Sequence, residues 1–129
     1  MRGLVHFMDN IFPKTEKLYR AIYPPKVSAM YWRKDGTISS AAFADSQGLS
    51  VERGDFRSDN VVVNSMLERF TGYIVSLYAR DCFNVGAILR YLPSNNSVYH
   101  SEIHGSESKK LLSKSQRYYL AKKARIVNK

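Results

Sequence analysis

Glycine and proline divide this chain at short intervals, at Pro24-Pro25, Gly36, Gly48, Gly72, Gly86, Pro93 and Gly105. Both residues interrupt regular structure, one by conformational freedom and the other by its missing N–H. The apolar segments between them are accordingly brief. Leu18 to Tyr23, Thr37 to Ala44, Leu49 to Arg53, Gly72 to Tyr78 and Ala87 to Leu92 read as strands. Val98 to His104 alternates cleanly, and Ala124 to Val127 is a candidate last strand. Two segments read as helices. Ser58 or Asp59 caps one from Asn60 to about Phe70, and Ser106 or Ser108 caps another running to about Lys122. Ala79 to Val85 reads as a single helical turn. Strands outnumber helices, so the expected fold is α+β on a mostly antiparallel or mixed sheet. At 129 residues the chain suits one domain over 1–129, with 1–17 a candidate irregular arm.

Charge is distributed unevenly along this frame. Residues 1–108 hold twelve Lys or Arg against eleven Asp or Glu, a net of +1. Residues 109–129 hold eight basic side chains and no acid, so almost all of the net charge of +9 lies at the C-terminal end. Screening confines such a field to about 8–10 Å at physiological salt, so anion binding is expected at or beside this element. On a helical wheel Lys110, Lys114, Arg117 and Arg125 group on one side. Leu111, Leu112, Ser115, Tyr118 and Tyr119 group on the other. Two readings fit: a phosphate-binding helix with Tyr118 available for base stacking, or a docked amphipathic helix whose lysines are merely solvated. The apolar side lacks Trp and Phe, which disfavours a membrane surface.

The strand Val98–His104 puts His100, Glu102 and His104 on one face. Successive same-face residues lie roughly 6.5–7 Å apart, so the two histidines stand about 13 Å apart along the strand. Metal–nitrogen bonds of about 2.1 Å exclude one ion shared by all three from a flat strand. Open readings are a solvent-facing polar side, an acid–base pair, or two ligands completed from elsewhere. Arg20 and Arg53 sit among apolar residues and must emerge at an edge or pair with an anion. That anion is either a phosphate, with Ser39 and Ser40 as further ligands, or Glu52, Asp45 or Asp55. His100, Glu102, Arg20 and Arg53 are thus the candidate catalytic set. No Gly-rich phosphate loop, Gly-x-Ser-x-Gly elbow or His-Glu-x-x-His pair occurs, which disfavours classical nucleotide hydrolases and zincins. No cofactor or metal is expected.

One cysteine, Cys82, allows no intrachain disulfide, and Met1 to Pro13 is too polar for a signal-peptide core. A cytoplasmic location is expected, with Cys82 a buried structural thiol. Arg20, Ser39-Ser40 and Glu102, in that order, resemble the Arg–Ser–Glu series of ADP-ribosyltransferase-type folds. The resemblance implies that arginine and serine hold NAD and that the glutamate positions its ribose, although His100 stands where that family usually has Glu or Gln. More of the chain, through Leu18–Ile22, Ser39–Phe43, Gly48–Arg53 and Asn96 with His100, is similar to a group of short prokaryotic proteins without assigned activity. The expected function is binding of nucleic acid, RNA before DNA, or of another phosphate-rich ligand. The alternatives are a small enzyme acting on a nucleotide or RNA phosphate, an ADP-ribosyltransferase-like activity, or an interaction subunit for an acidic protein.

Overall fold

The computed structural model describes residues 11–128. Six strands form one antiparallel sheet: β1 (Lys17–Ile22), β2 (Leu49–Arg53), β3 (Tyr73–Tyr78), β4 (Ile88–Tyr91), β5 (His100–His104) and β6 (Arg125–Ile126). Their spatial order is β4-β5-β2-β1-β3-β6, so the α+β expectation holds. Three α-helices accompany it: α1 (Asp59–Leu67), α2 (Ala79–Asn84) and α3 (Lys114–Lys123). Ten residues of the expected N-terminal arm lie outside the described ones. The rest of that segment packs on the body, with Phe12 buried and Glu16 bonded to Arg53.

Strand alternation gives the sheet two unlike faces. Leu18, Ile22, Leu49, Val51, Leu77 and Ile103 point to the main core, closed by Phe43, Cys82, Leu112 and Leu120. The other face is apolar only beneath α1, where Tyr19 and Ile74 meet Val62, Val63 and Met66. Three consecutive valines weaken helix propensity, but two of them fill this second core, and Ser58 Oγ caps the helix by accepting from Val61 N. Beyond α1 the same face carries Glu52, His100, Glu102 and His104 and is polar.

Two elements differ from expectation. Thr37–Ala44 is no strand: Ile38 makes a single bridge to Trp32, and Ser40–Phe43 forms a 3-10 turn. Ser39 Oγ accepts from Ala41 N, a local bond that competes with a ladder. The last helix starts at neither Ser106 nor Ser108. These residues belong to a loop in which Lys109 N donates to Ser106 Oγ and Gly105 N to Lys110 O. Ser113 starts the helix because it alone has a reciprocal partner: Gln116 N donates to Ser113 Oγ and Ser113 N to Gln116 Oε1. That start sets the buried stripe as Leu112, Gln116 and Leu120 and leaves Leu111 and Tyr118 exposed, correcting the wheel drawn from sequence. Buried Gln116 is satisfied by the carbonyls of Val85 and Gly105.

Candidate nucleic-acid interface

At the β3–β6 end of the sheet lies a groove of about 650 Å³. Register builds it. Lys17 pairs with Tyr78 across β1 and β3, and Ser76 pairs with Arg125 across β3 and β6. Immediately after β3 the chain turns into α2, which brings Arg80 and Asn84 to the rim. The last turn of α3 adds Lys122 and Lys123. Both acids here are occupied. Asp81 accepts from Tyr78 N, and Asp59 accepts from Lys17 Nζ at 3.1 Å and from the Tyr19 hydroxyl at 2.6 Å. The Tyr19 bond, then Lys17, holds the Asp59 carboxyl below the ordinary range. Burial, reinforced by Asp59, pushes the Tyr19 phenol above its ordinary value.

Among the described residues, Arg80, Lys122, Lys123 and Arg125 have no carboxylate within ion-pair distance. Three of them lie over aromatic rings: Arg80 over Tyr78 at 4.3 Å, Lys123 over Tyr119 at 5.5 Å and Lys122 over Tyr118 at 4.7 Å. Asn84 Nδ2 donates to the Tyr119 hydroxyl. The groove therefore combines cations without counter-charges and tyrosine rings, a pairing suited to phosphates and unstacked bases.

The residues expected to bind nucleic acid do not form one surface. Arg125 lies in this groove. Lys114 and Tyr118 meet Ser40 in a separate depression of about 560 Å³ at the start of α3, so Ser40 does join part of the basic helix. Ser39 uses its hydroxyl in the 3-10 turn. Arg117 folds back and donates to the Leu112 carbonyl at 2.6 Å. Lys110 is exposed in the loop preceding the helix. Lys17, Tyr78, Arg80 and Asn84 were not anticipated. Their positions follow from a register between strands nearly sixty residues apart, which no local pattern encodes.

Of the four candidate catalytic residues, His100 and Glu102 are neighbours, Arg20 shares a cleft with His100, and Arg53 stands apart. Tyr19, Glu52 and His100 stand side by side across β1, β2 and β5. Arg20 and His100 both line a cleft of about 290 Å³ with Glu52 and Arg69. The Arg20 guanidinium, however, donates to the carbonyls of Ala42 and Ser50, where β1 and β2 splay, and burial lowers its pKa. Glu102 is held between two histidines: His104 Nε2 lies 2.8 Å and His100 Nε2 lies 3.7 Å from its oxygens. Gly48 backs these side chains closely, and with φ +100° it stands where a Cβ would collide with Glu102 Oε1.

Arg53 does not join His100. It occupies the opposite face, where Nε and Nη2 donate to the Glu16 carboxylate at 2.8 and 2.7 Å and the guanidinium lies 4.0 Å from the Phe12 ring. Glu52 instead receives Arg69, with Arg57 at 3.6 Å. No group of three His, Cys, Asp or Glu among the described residues is placed to hold a metal ion, and no helix among them is long and apolar enough to cross a membrane. Cys82 is buried, which pushes its thiol up to about 12.

No protein-family model, curated protein or solved structure matches this chain.

Proposed function

We propose that this chain binds single-stranded nucleic acid, RNA before DNA, along the groove at the β3–β6 end of the sheet. One observation carries the reading. Arg80, Lys122, Lys123 and Arg125 converge there without carboxylate partners among the described residues, and Tyr78 and Tyr119 lie beside them. Concentrated unpaired cations attract the phosphate backbone by releasing its counterions, and stacking on tyrosines requires bases free of a duplex. Single-stranded loops and ends of RNA present such bases, and a cytoplasmic setting fits that ligand. The C-terminal helix contributes through its last turn, not along its whole length.

The test is the salt dependence of binding to a fluorescein-labelled single-stranded RNA, read by anisotropy from roughly 50 to 200 mM salt. Four phosphate contacts give a log–log slope of about −3. The variant Arg80→Ala/Lys123→Ala/Arg125→Ala should bring that slope near −1 and weaken binding at low salt by roughly tenfold or more. Binding indifferent to salt, or unaltered by the triple variant, would overturn the reading.

A further inference from the structure

The β2–α1 connection holds the most exposed large apolar side chain among those described, Phe56, at 95% relative accessibility. Hydrophobicity would bury such a ring, and the local backbone gives it no alternative site. Asp55 has φ 49° and Phe56 has φ 66°, two successive non-glycine residues in the left-handed region. That conformation is unfavourable for both, and it persists only where the surroundings over-determine it.

Those surroundings are explicit. Gly54 N donates to Lys17 O at 2.7 Å, and Asp55 N donates to Glu16 Oε2 at 3.0 Å. Arg57 closes the turn from the far side: its backbone N and its Nε both donate to Gly54 O, its Nη2 donates to Arg53 O at 2.8 Å, and its guanidinium lies 3.4 Å from the centre of the Tyr99 ring. The turn is thus fastened at each residue except the phenyl ring it displays.

Phe56 borders a groove of about 600 Å³ whose floor includes Lys17, Tyr19 and Asp59. Lys17 and Asp59 also line the cationic groove, so the two depressions adjoin at that ion pair. Their electrostatics differ. In the first, Lys17 and Arg57 stand against Glu16 and Asp59 and the charge nearly balances. The second has an excess of unpaired cations. A backbone phosphate favours the second, and a neutral base favours the first.

Resting on the nucleic-acid reading above, we infer that Phe56 is a base-stacking residue, and that a single strand held by its phosphates in the cationic groove crosses the Lys17–Asp59 pair to lay a base on the Phe56 ring. The test uses the full chain and a fluorescein-labelled oligoadenylate RNA of about twelve nucleotides. Phe56→Ala should weaken binding roughly five- to a hundredfold, the range for losing one aromatic–base stack, with the salt slope unchanged because no phosphate contact is lost. Phe56→Leu should fall nearly as far as Ala, since an aliphatic chain has no face on which a base stacks. Phe56→Gly should weaken binding as Ala does while raising the thermal unfolding midpoint, because glycine relieves the left-handed residue.

If Phe56→Ala binds like the parent while the groove triple variant is weakened, this inference fails and the groove reading stands. Full binding by Phe56→Leu makes the contact a generic apolar one and also overturns stacking. A lowered midpoint for Phe56→Gly makes Phe56 a structural residue, with the same consequence. If the parent chain binds no RNA even at low salt, the groove reading itself falls.

Discussion

Two regions of the sheet, one around interior strand β2 and one around edge strand β6, hold basic side chains in opposite states. Around β2, Arg53 is clamped by Glu16, Arg69 by Glu52, and Arg57 by carbonyls and the Tyr99 ring. Around β6, Arg80, Lys122, Lys123 and Arg125 point into a groove where both acids are already engaged. A count of charges does not distinguish these regions, but pairing does. A paired buried arginine supports the fold and offers nothing to a ligand, whereas an exposed unpaired one contributes little to stability and keeps its field available.

The contrast is sharpest in stability. Glu16 and Arg53 side chains are only 7% and 8% exposed, so Glu16→Gln breaks a buried, bidentate charge pair and should cost about 3–5 kcal/mol in urea unfolding. Arg80→Ala, Lys123→Ala and Arg125→Ala should each stay within about 0.5 kcal/mol of the parent. A Glu16→Gln protein within about 1 kcal/mol of the parent would erase the distinction. Replacing both partners, as Glu16→Leu with Arg53→Met, should recover much of the loss, because both buried charges are then removed together.

A smaller effect comes from the pair that joins the two regions, Tyr19 and Asp59. Burial, then the bond to Asp59, raises the folded Tyr19 pKa, so its stabilising effect is complete below the unfolded value near 10 and declines as pH rises beyond it. The Tyr19 bond lowers the folded Asp59 pKa, so that contribution is complete above the unfolded value near 3.9 and declines as pH falls. One variant, Tyr19→Phe, removes both causes. Its urea midpoint should vary less with pH than the parent's at each extreme, while the Cys82 thiol titrates alike in both proteins. Parallel pH profiles would show that this bond does not couple to folding.

The smallest expected change is in binding. Arg117 belongs to the basic C-terminal run, yet its guanidinium is held by the Leu112 carbonyl. Arg117→Ala should therefore shift RNA affinity less than about twofold, where each groove cation shifts it more. An effect equal to that of Arg125→Ala would mean that the whole helix, and not its last turn, faces the ligand.

Much of the framework was legible because it is encoded locally. Glycine and proline stops bracket β1, β3 and β4, and Ser58 caps α1 as its spacing indicates. The alternation from Val98 places His100, Glu102 and His104 on one face. Local reasoning failed where two nearby groups competed. Ser39 bonded its own turn instead of allowing a strand, and the serines at 106 and 108 lost the helix start to Ser113, which had Gln116 in reach. The candidate site was less legible. Arg125 was anticipated, but Lys17 and Arg80 enter through pairing of β1 with β3, and Phe56 stands out only through its exposure and backbone angles in the folded chain.

By itself, the sequence determined an α+β domain of short strands, one buried thiol and a basic excess confined to its C-terminal end. Each of these follows from residue type and spacing along the chain. Tertiary structure decided which cations are free. Ion pairing depends on distance in space, and the partners that matter are separated by 37 residues for Arg53 and Glu16 and by 42 for Lys17 and Asp59. The strand order that brings those pairs together also carries Lys17 and Arg80 to the edge where the basic C-terminus arrives, so a charge asymmetry in sequence becomes a groove only after the sheet has formed.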